Sequence, residues 1–294
     1  MTDKRANKLH KMHNREAFTA YIFISPFLGS FLLFFLVPAV YSIVLSFYRY
    51  RGFGNATFVG LRNYVTLIQY PFFWTAFANT FFYLVVHIIP TMVISFSVAV
   101  MLHSSYSKWT RLLKMIIFSP QVLAVVSAAM IWRVIFATRS GVINTLLGTE
   151  IPFLQDKLLM KLSVVIMITW RGIGWFMVIF LSGLTTISKD IMEASIIDGA
   201  NVIQRLFRIT IPMMKSIFAL SFIIETIASI KMAVEPNLLI SNWLDAPVDA
   251  MPILNIVINN IKGGNFGFAS AAGWIIFIVI FLLSIVQLRL FNES

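Results

Sequence analysis

Residues 79–102 read NTFFYLVVHIIPTMVISFSVAVML, and no Lys, Arg, Asp or Glu interrupts them. A helix crossing a hydrocarbon core of about 30 Å needs roughly 20 apolar residues, so this stretch alone can span a bilayer. Working outward, five further runs reach comparable length: Phe18–Phe47, Lys114–Phe136, Leu162–Thr185, Ile211–Lys231 and Phe268–Leu288. Lipid offers no partner to a free backbone N–H or C=O, so each run is expected to be helical. The reading is an all-α integral membrane protein with about six transmembrane helices. Pro26 and Pro38 lie within the first run, and each removes a backbone donor and favours a kink.

Composition agrees. The chain of 294 residues is 59% hydrophobic and 12% charged, with a mean hydropathy of +0.86. A soluble domain carries roughly a quarter of its residues charged, twice this supply. The net charge of +11 does not point to nucleic acid, because the basic residues are scattered between apolar runs. Their one cluster, Lys4, Arg5, Lys8, Lys11 and Arg15, directly precedes the first run, where a topology signal or an anionic-lipid contact belongs. Residues 1–16 therefore read as a basic cytoplasmic N-terminus and 17–294 as the transmembrane domain. Ala17–Tyr48 is too long for a secretory signal core, so it is expected to stay as an anchor.

Lys and Arg also set the orientation. With the N-terminus inside, the inner segments hold that cluster, then Lys108, Arg111 and Lys114, then Lys189, Arg205, Arg208 and Lys215, then Arg289. The outer segments hold fewer, spread over longer loops, so both termini are expected in the cytoplasm. Cysteine is absent, which removes disulfides and thiolate chemistry. His10, His13, His87 and His103 do not cluster with carboxylates, so no metal site is expected.

The inner segment between the fourth and fifth runs, about residues 187–210, has its own pattern. Ile187, Ile191, Ala194 and Ile197 recur at helical spacing, Ser188 can cap the start, and Gly199 can stop the helix in a left-handed turn. A second short helix is expected over Asn201–Arg208, with Pro212 opening the next span. On pattern alone this is either an interfacial helix or a docking element.

Glu193-Ala194-Ser195, then Ile197-Asp198-Gly199-Ala200, then Phe207, Ile209 and Pro212, resembles the EAA motif of binding-protein-dependent ABC importer permeases. Similarity extends to Ser46-Phe47, Phe58-Val59-Gly60-Leu61-Arg62-Asn63-Tyr64, Ser119-Pro120, Ile131-Trp132, Gly141-Val142-Ile143-Asn144 and Phe266–Ala271. These resemble the carbohydrate group typified by maltose, multiple-sugar and glycerol-phosphate systems. Ser195 replaces the motif's second alanine, and Ser241–Pro247 departs from the Gly-Gly-Pro common in sugar permeases.

The resemblance implies a type I importer permease fold with a cytoplasmic coupling helix carrying Glu193, Ala194, Asp198, Gly199, Ala200, Phe207 and Pro212. It further implies a second similar permease, two ATPase subunits that bind ATP and Mg, an extracytoplasmic binding protein, alternating access and a carbohydrate solute, with a non-sugar solute such as glycerol-phosphate as the alternative. The chain itself has no Gly-x-x-x-x-Gly-Lys loop, so it is expected to hydrolyse no ATP by that route and to need no cofactor. An ion-coupled carrier is disfavoured by the absence of an internal repeat, and a membrane enzyme by the absence of a catalytic constellation.

Polar residues within spans are the remaining signal. Arg171, Gly174, Trp175 and Val178 share a helix face, where a guanidinium beside an indole suits a sugar. The alternative is a structural Arg171–Glu225 pair between neighbouring spans. Asn79, Tyr83, His87, Thr91 and Ser95 follow at steps of four, forming a stripe for the bundle interior. It serves either helix–helix hydrogen bonding or a solute path.

Overall fold

In a computed structural model, residue 19 and residues 21–103, 107–240 and 248–292 are described. The basic cluster Lys4–Arg15 and the loop Ser241–Pro247 lie outside the described residues. In chain order the elements are α1 (Tyr21–Ser46), β1 (Tyr48–Arg49), β2 (Thr57–Phe58), α2 (Arg62–Gln69), α3 (Pro71–His103), α4 (Lys108–Val122) and α5 (Val125–Ile135). There follow α6 (Val142–Leu147), α7 (Lys157–Leu184), α8 (Lys189–Ile197), α9 (Val202–Met213), α10 (Lys215–Ile230), α11 (Val234–Ile240), α12 (Leu254–Lys262) and α13 (Phe266–Asn292).

Of these, α1, α3, α7 and α13 are each long and apolar enough to cross a membrane. The third and fifth runs are not single straight helices. The chain bends by 100° between α4 and α5 and by 68° between α9 and α10, so the total reaches six if each bent pair is one span. The first bend falls where Leu123 and Ala124 take extended ψ values of 137° and 139°. The second falls after Pro212, not before it. A π-helical segment, Leu206–Thr210, runs up to the turn holding Pro212, and α9 continues through that proline before breaking at Met214. The same device precedes Pro38, where Leu32–Leu36 is π-helical within α1. One extra residue per turn relieves the clash of a proline ring with the carbonyl four residues back.

The described residues group into two compact units. One takes in the chain up to Val65 together with Asn260–Ala271. Here Asn63 Nδ2 donates to the carbonyls of Ser46 (2.7 Å) and Tyr48 (3.0 Å), and Tyr64 donates to Ser46 Oγ (2.7 Å). The first of these contacts serves an orphan carbonyl at the end of α1. Phe266 N–H donates to Tyr50 O at 3.0 Å, and a side chain at Gly267 would strike Tyr48 O. The segments of family resemblance around Asn63 and Gly267 are thus the clasps of this unit. The apolar length of α1 is exposed, with Phe23 at 79% and Phe34 at 76%.

The other unit comprises Thr66–Asn259 and the chain from Ala272. Its axis is the α3–α7 pair, with α4 against α7, α10 against α3, and α11 against α5. Tyr83, Val164, Met167 and Leu239 form the core between them. Glycines on α7 permit the close approach: a Cβ on Gly174 would lie 2.4 Å from Ile117 O of α4, and one on Gly172 would lie 3.2 Å from Thr91 Cγ2 of α3. Small residues at such crossings let helix backbones meet. Asn144 ties the loop after α5 together, donating to the carbonyls of Ala137, Thr138 and Ile151 and accepting from Ile151 N–H.

Candidate functional site: a polar cavity and a paired-helix loop

The polar stripe of α3 faces inward along its whole length, and Asn79, Tyr83, His87, Thr91 and Ser95 are all buried. Its two ends make helix–chain hydrogen bonds. Asn79 Nδ2 donates to Met251 O (3.1 Å), Tyr83 donates to Ala250 O (2.8 Å), and Ser95 donates to Ile173 O on α7 (3.1 Å). Asn79 and Tyr83 therefore anchor the chain that follows Val248 and do not line the cavity that the middle of the stripe borders.

The middle of the stripe differs. His87 Nδ1 lies 3.0 Å from the hydroxyls of both Thr91 and Thr169, and its Nε2 meets the Glu225 carboxylate of α10. The Arg171–Glu225 pairing does not form. Glu225 is taken by His87 because α10 packs chiefly against α3, and Arg171 on α7 turns to Glu235 of α11 at 3.9 Å.

Both pairs border one cavity of about 210 Å³, which Gln121, Trp175 and Ser229 also line. Arg171 Nε and Ser229 Oγ are buried there without a hydrogen-bond partner among the described residues. Four of the six pathway candidates, His87, Arg171, Trp175 and Glu225, are thus brought together. Glu235, Gln121 and Ser229 were missed. Glu235 carries the one signal that could have found it, a lone carboxylate directly after the fifth run.

The loop after α7 folds as two capped helices. Ser188 Oγ accepts from Asp190 N–H at the start of α8. At its end Gly199 has φ +77°, Gly199 N–H donates to Ile196 O (3.0 Å), and Ala200 N–H donates to Ser195 O (2.9 Å). This is a Schellman closure, which needs a left-handed residue. Asn201 and Gln204 then form a reciprocal capping box that starts α9, at 2.8 and 2.9 Å. The apolar face of α8 is left uncovered by the chain. Ser195 turns inward, while Ile191, Ala194 and Ile197 are exposed, Ile197 at 86%. Glu193, Asp198 and Phe207 are exposed too, Phe207 at 63%. The loop offers an apolar, acid-tipped surface held in shape by its own caps.

Residues 16–293 match the model of a family described as the binding-protein-dependent transport system inner membrane component. The chain belongs to that family. It is a multi-pass inner-membrane permease of a binding-protein-dependent ABC importer, in a non-catalytic family that carries no cofactor. The ion-coupled carrier and membrane-enzyme readings fall away. The permease is 28% identical to the arabinooligosaccharides transport system permease protein AraP of Halalkalibacterium halodurans, over 98% of this chain and 92% of the relative. It is 30% identical to the lactose transport system permease protein LacF of Rhizobium radiobacter, over 91% and 92%. In fold it matches a bacterial ABC transporter involved in the import of the acidic polysaccharide alginate, with a TM-score of 0.83 at 21% identity over 97% of this chain and 99% of that one.

Proposed function

We propose that this permease passes a sugar or oligosaccharide handed over by an extracytoplasmic binding protein. It would work in an assembly with a second similar permease and two ATPase subunits, with both termini and the loop of α8 and α9 in the cytoplasm. The observation that carries the solute class is the cavity. Trp175 gives an aromatic face for the apolar side of a sugar ring. Arg171 Nε, Ser229 Oγ and Gln121 give groups for hydroxyls, and Glu225 and Glu235 give acceptors. Two carboxylates against one guanidinium suit an uncharged polyol better than a phosphate. Relatives named for arabinooligosaccharides, lactose and trehalose/maltose support the same class.

Coupling is assigned to Glu193, Ala194, Asp198, Gly199, Ala200, Phe207 and Pro212, because apolar side chains left exposed beside a rigid turn suit a partner's cleft. ATPase closure would reach the bundle as rigid-body motion through α9. The test is uptake into proteoliposomes holding the complete transporter, offered labelled lactose, maltose and arabino-oligosaccharides. Uptake of at least one should require both ATP and the binding protein. Uptake of an organic phosphate with none of the sugars would overturn the solute class.

A further inference from the structure

A second cavity lies on another side of this unit, near the end that carries the paired-helix loop. It holds about 660 Å³ and runs between α3, α9, α10 and the last turn of α13. Its walls are almost wholly apolar, including Val93, Phe96, Phe207, Phe218, Phe222 and Phe291. Ring contacts brace the floor: Phe96 and Phe218 have centroids 4.9 Å apart, and Phe222 and Phe291 are 5.9 Å apart. The one ionisable group in the lining is Lys215, at the first residue of α10.

We infer that this groove binds an anionic membrane phospholipid, its headgroup on Lys215 and an acyl chain along the phenylalanines. The length fits a lipid lying in one leaflet, because Lys215 and Phe222 are separated by about 10 Å of helix rise. The charge fits as well. No acidic residue lines the groove, and among the described residues Lys215, Arg205 and Arg208 have no carboxylate partner. Arg205 Nε is also buried without a hydrogen-bond partner among the described residues, one position before Leu206 of the lining. Basic pockets between transmembrane helices are suited to anionic headgroups. Phe207 and Pro212 belong both to this groove and to the segment assigned to coupling, so the lipid would brace α9 against α3 and α10.

The test is native mass spectrometry of the purified full chain, titrated with dioleoyl phosphatidylglycerol or dioleoyl phosphatidylcholine. Phosphatidylglycerol should bind at least about fivefold more tightly, the weight of one basic residue near a charged headgroup. Lys215→Ala should erase that preference, Lys215→Arg should keep it, and Val93→Trp, which fills the groove, should weaken both lipids. Equal binding of the two lipids, or a preference unchanged in Lys215→Ala, overturns the proposal. So does a photocrosslinker at Val93 that captures the second permease instead of lipid in native membranes.

Discussion

Glu225 of α10 meets Nε2 of His87 on α3, and the two side chains are 8% and 5% exposed. The contact joins two helices far apart in sequence, beside a cavity, with two threonine hydroxyls on the other ring nitrogen. A carboxylate placed this deep is tolerable only while it is paired.

Removing one partner should therefore cost more than removing both. His87→Ala is expected to destabilise the bundle by about 3–5 kcal/mol, because it strands the carboxylate. The double change His87→Leu with Glu225→Leu should recover much of that loss. Thermal unfolding of the purified single and double variants measures the coupling. Strictly additive losses would show that the two groups do not interact.

Arg171 gives a different expectation, since its carboxylate partner is Glu235. Exchanging the charges of Arg171 and Glu225 should restore nothing, whereas exchanging those of Arg171 and Glu235 should recover part of the lost assembly. Arg171→Ala should leave the ATPase subunits bound while sugar uptake falls. Co-purification and uptake, measured side by side, separate the two effects; loss of both in every variant removes the solute role.

Gly199 tests the loop. A side chain there meets nothing within 4 Å, so any penalty comes from φ +77° alone. Gly199→Val should cost on the order of 1 kcal/mol or more locally, tilting α8 against α9 while the bundle still inserts. ATP hydrolysis should then fail to drive uptake. Gly199→Asn, which tolerates the left-handed turn, should stay coupled. Equal coupling in both variants would reduce the loop to an interfacial role.

Two further glycines make a matched pair. A Cβ on Gly174 would press on the Ile117–Phe118 backbone, while one on Gly273 has nothing within 4 Å. Gly174→Ala is expected to lower stability by about 1–3 kcal/mol, the usual cost of overpacking. Gly273→Ala should be neutral or mildly stabilising, since alanine is the better helix former. Melting temperatures of the two variants decide it; equal shifts would mean that α4 and α7 are not closely packed at Gly174.

Topology is open to direct labelling, because the chain has no cysteine of its own. In intact cells an impermeant thiol reagent should miss Thr2→Cys and react with Phe53→Cys, which replaces an 82% exposed side chain between β1 and β2. The reverse pattern would invert the orientation.

What the sequence determined by itself rests on local physics. Apolar length against bilayer thickness marked the spans, Ser188 and Gly199 bounded α8, and the four-residue recurrence from Asn79 to Ser95 marked an inward face. Each depends on a residue and its near neighbours along one helix. Tertiary structure alone decided the partners. Whether Glu225 meets His87 or Arg171 depends on how α10 rotates about its axis and which helix it packs against, and no single-helix pattern encodes that. The bend at Leu123 and Ala124 was equally hidden, because both residues are good helix formers and nothing in their local sequence asks for the extended backbone they take. The exposed face of α8 shows the same limit. Apolar spacing identifies a surface that wants cover, but the fold settles whether the chain itself provides it, and here Ser195 holds the interior while Ile197 is left outside.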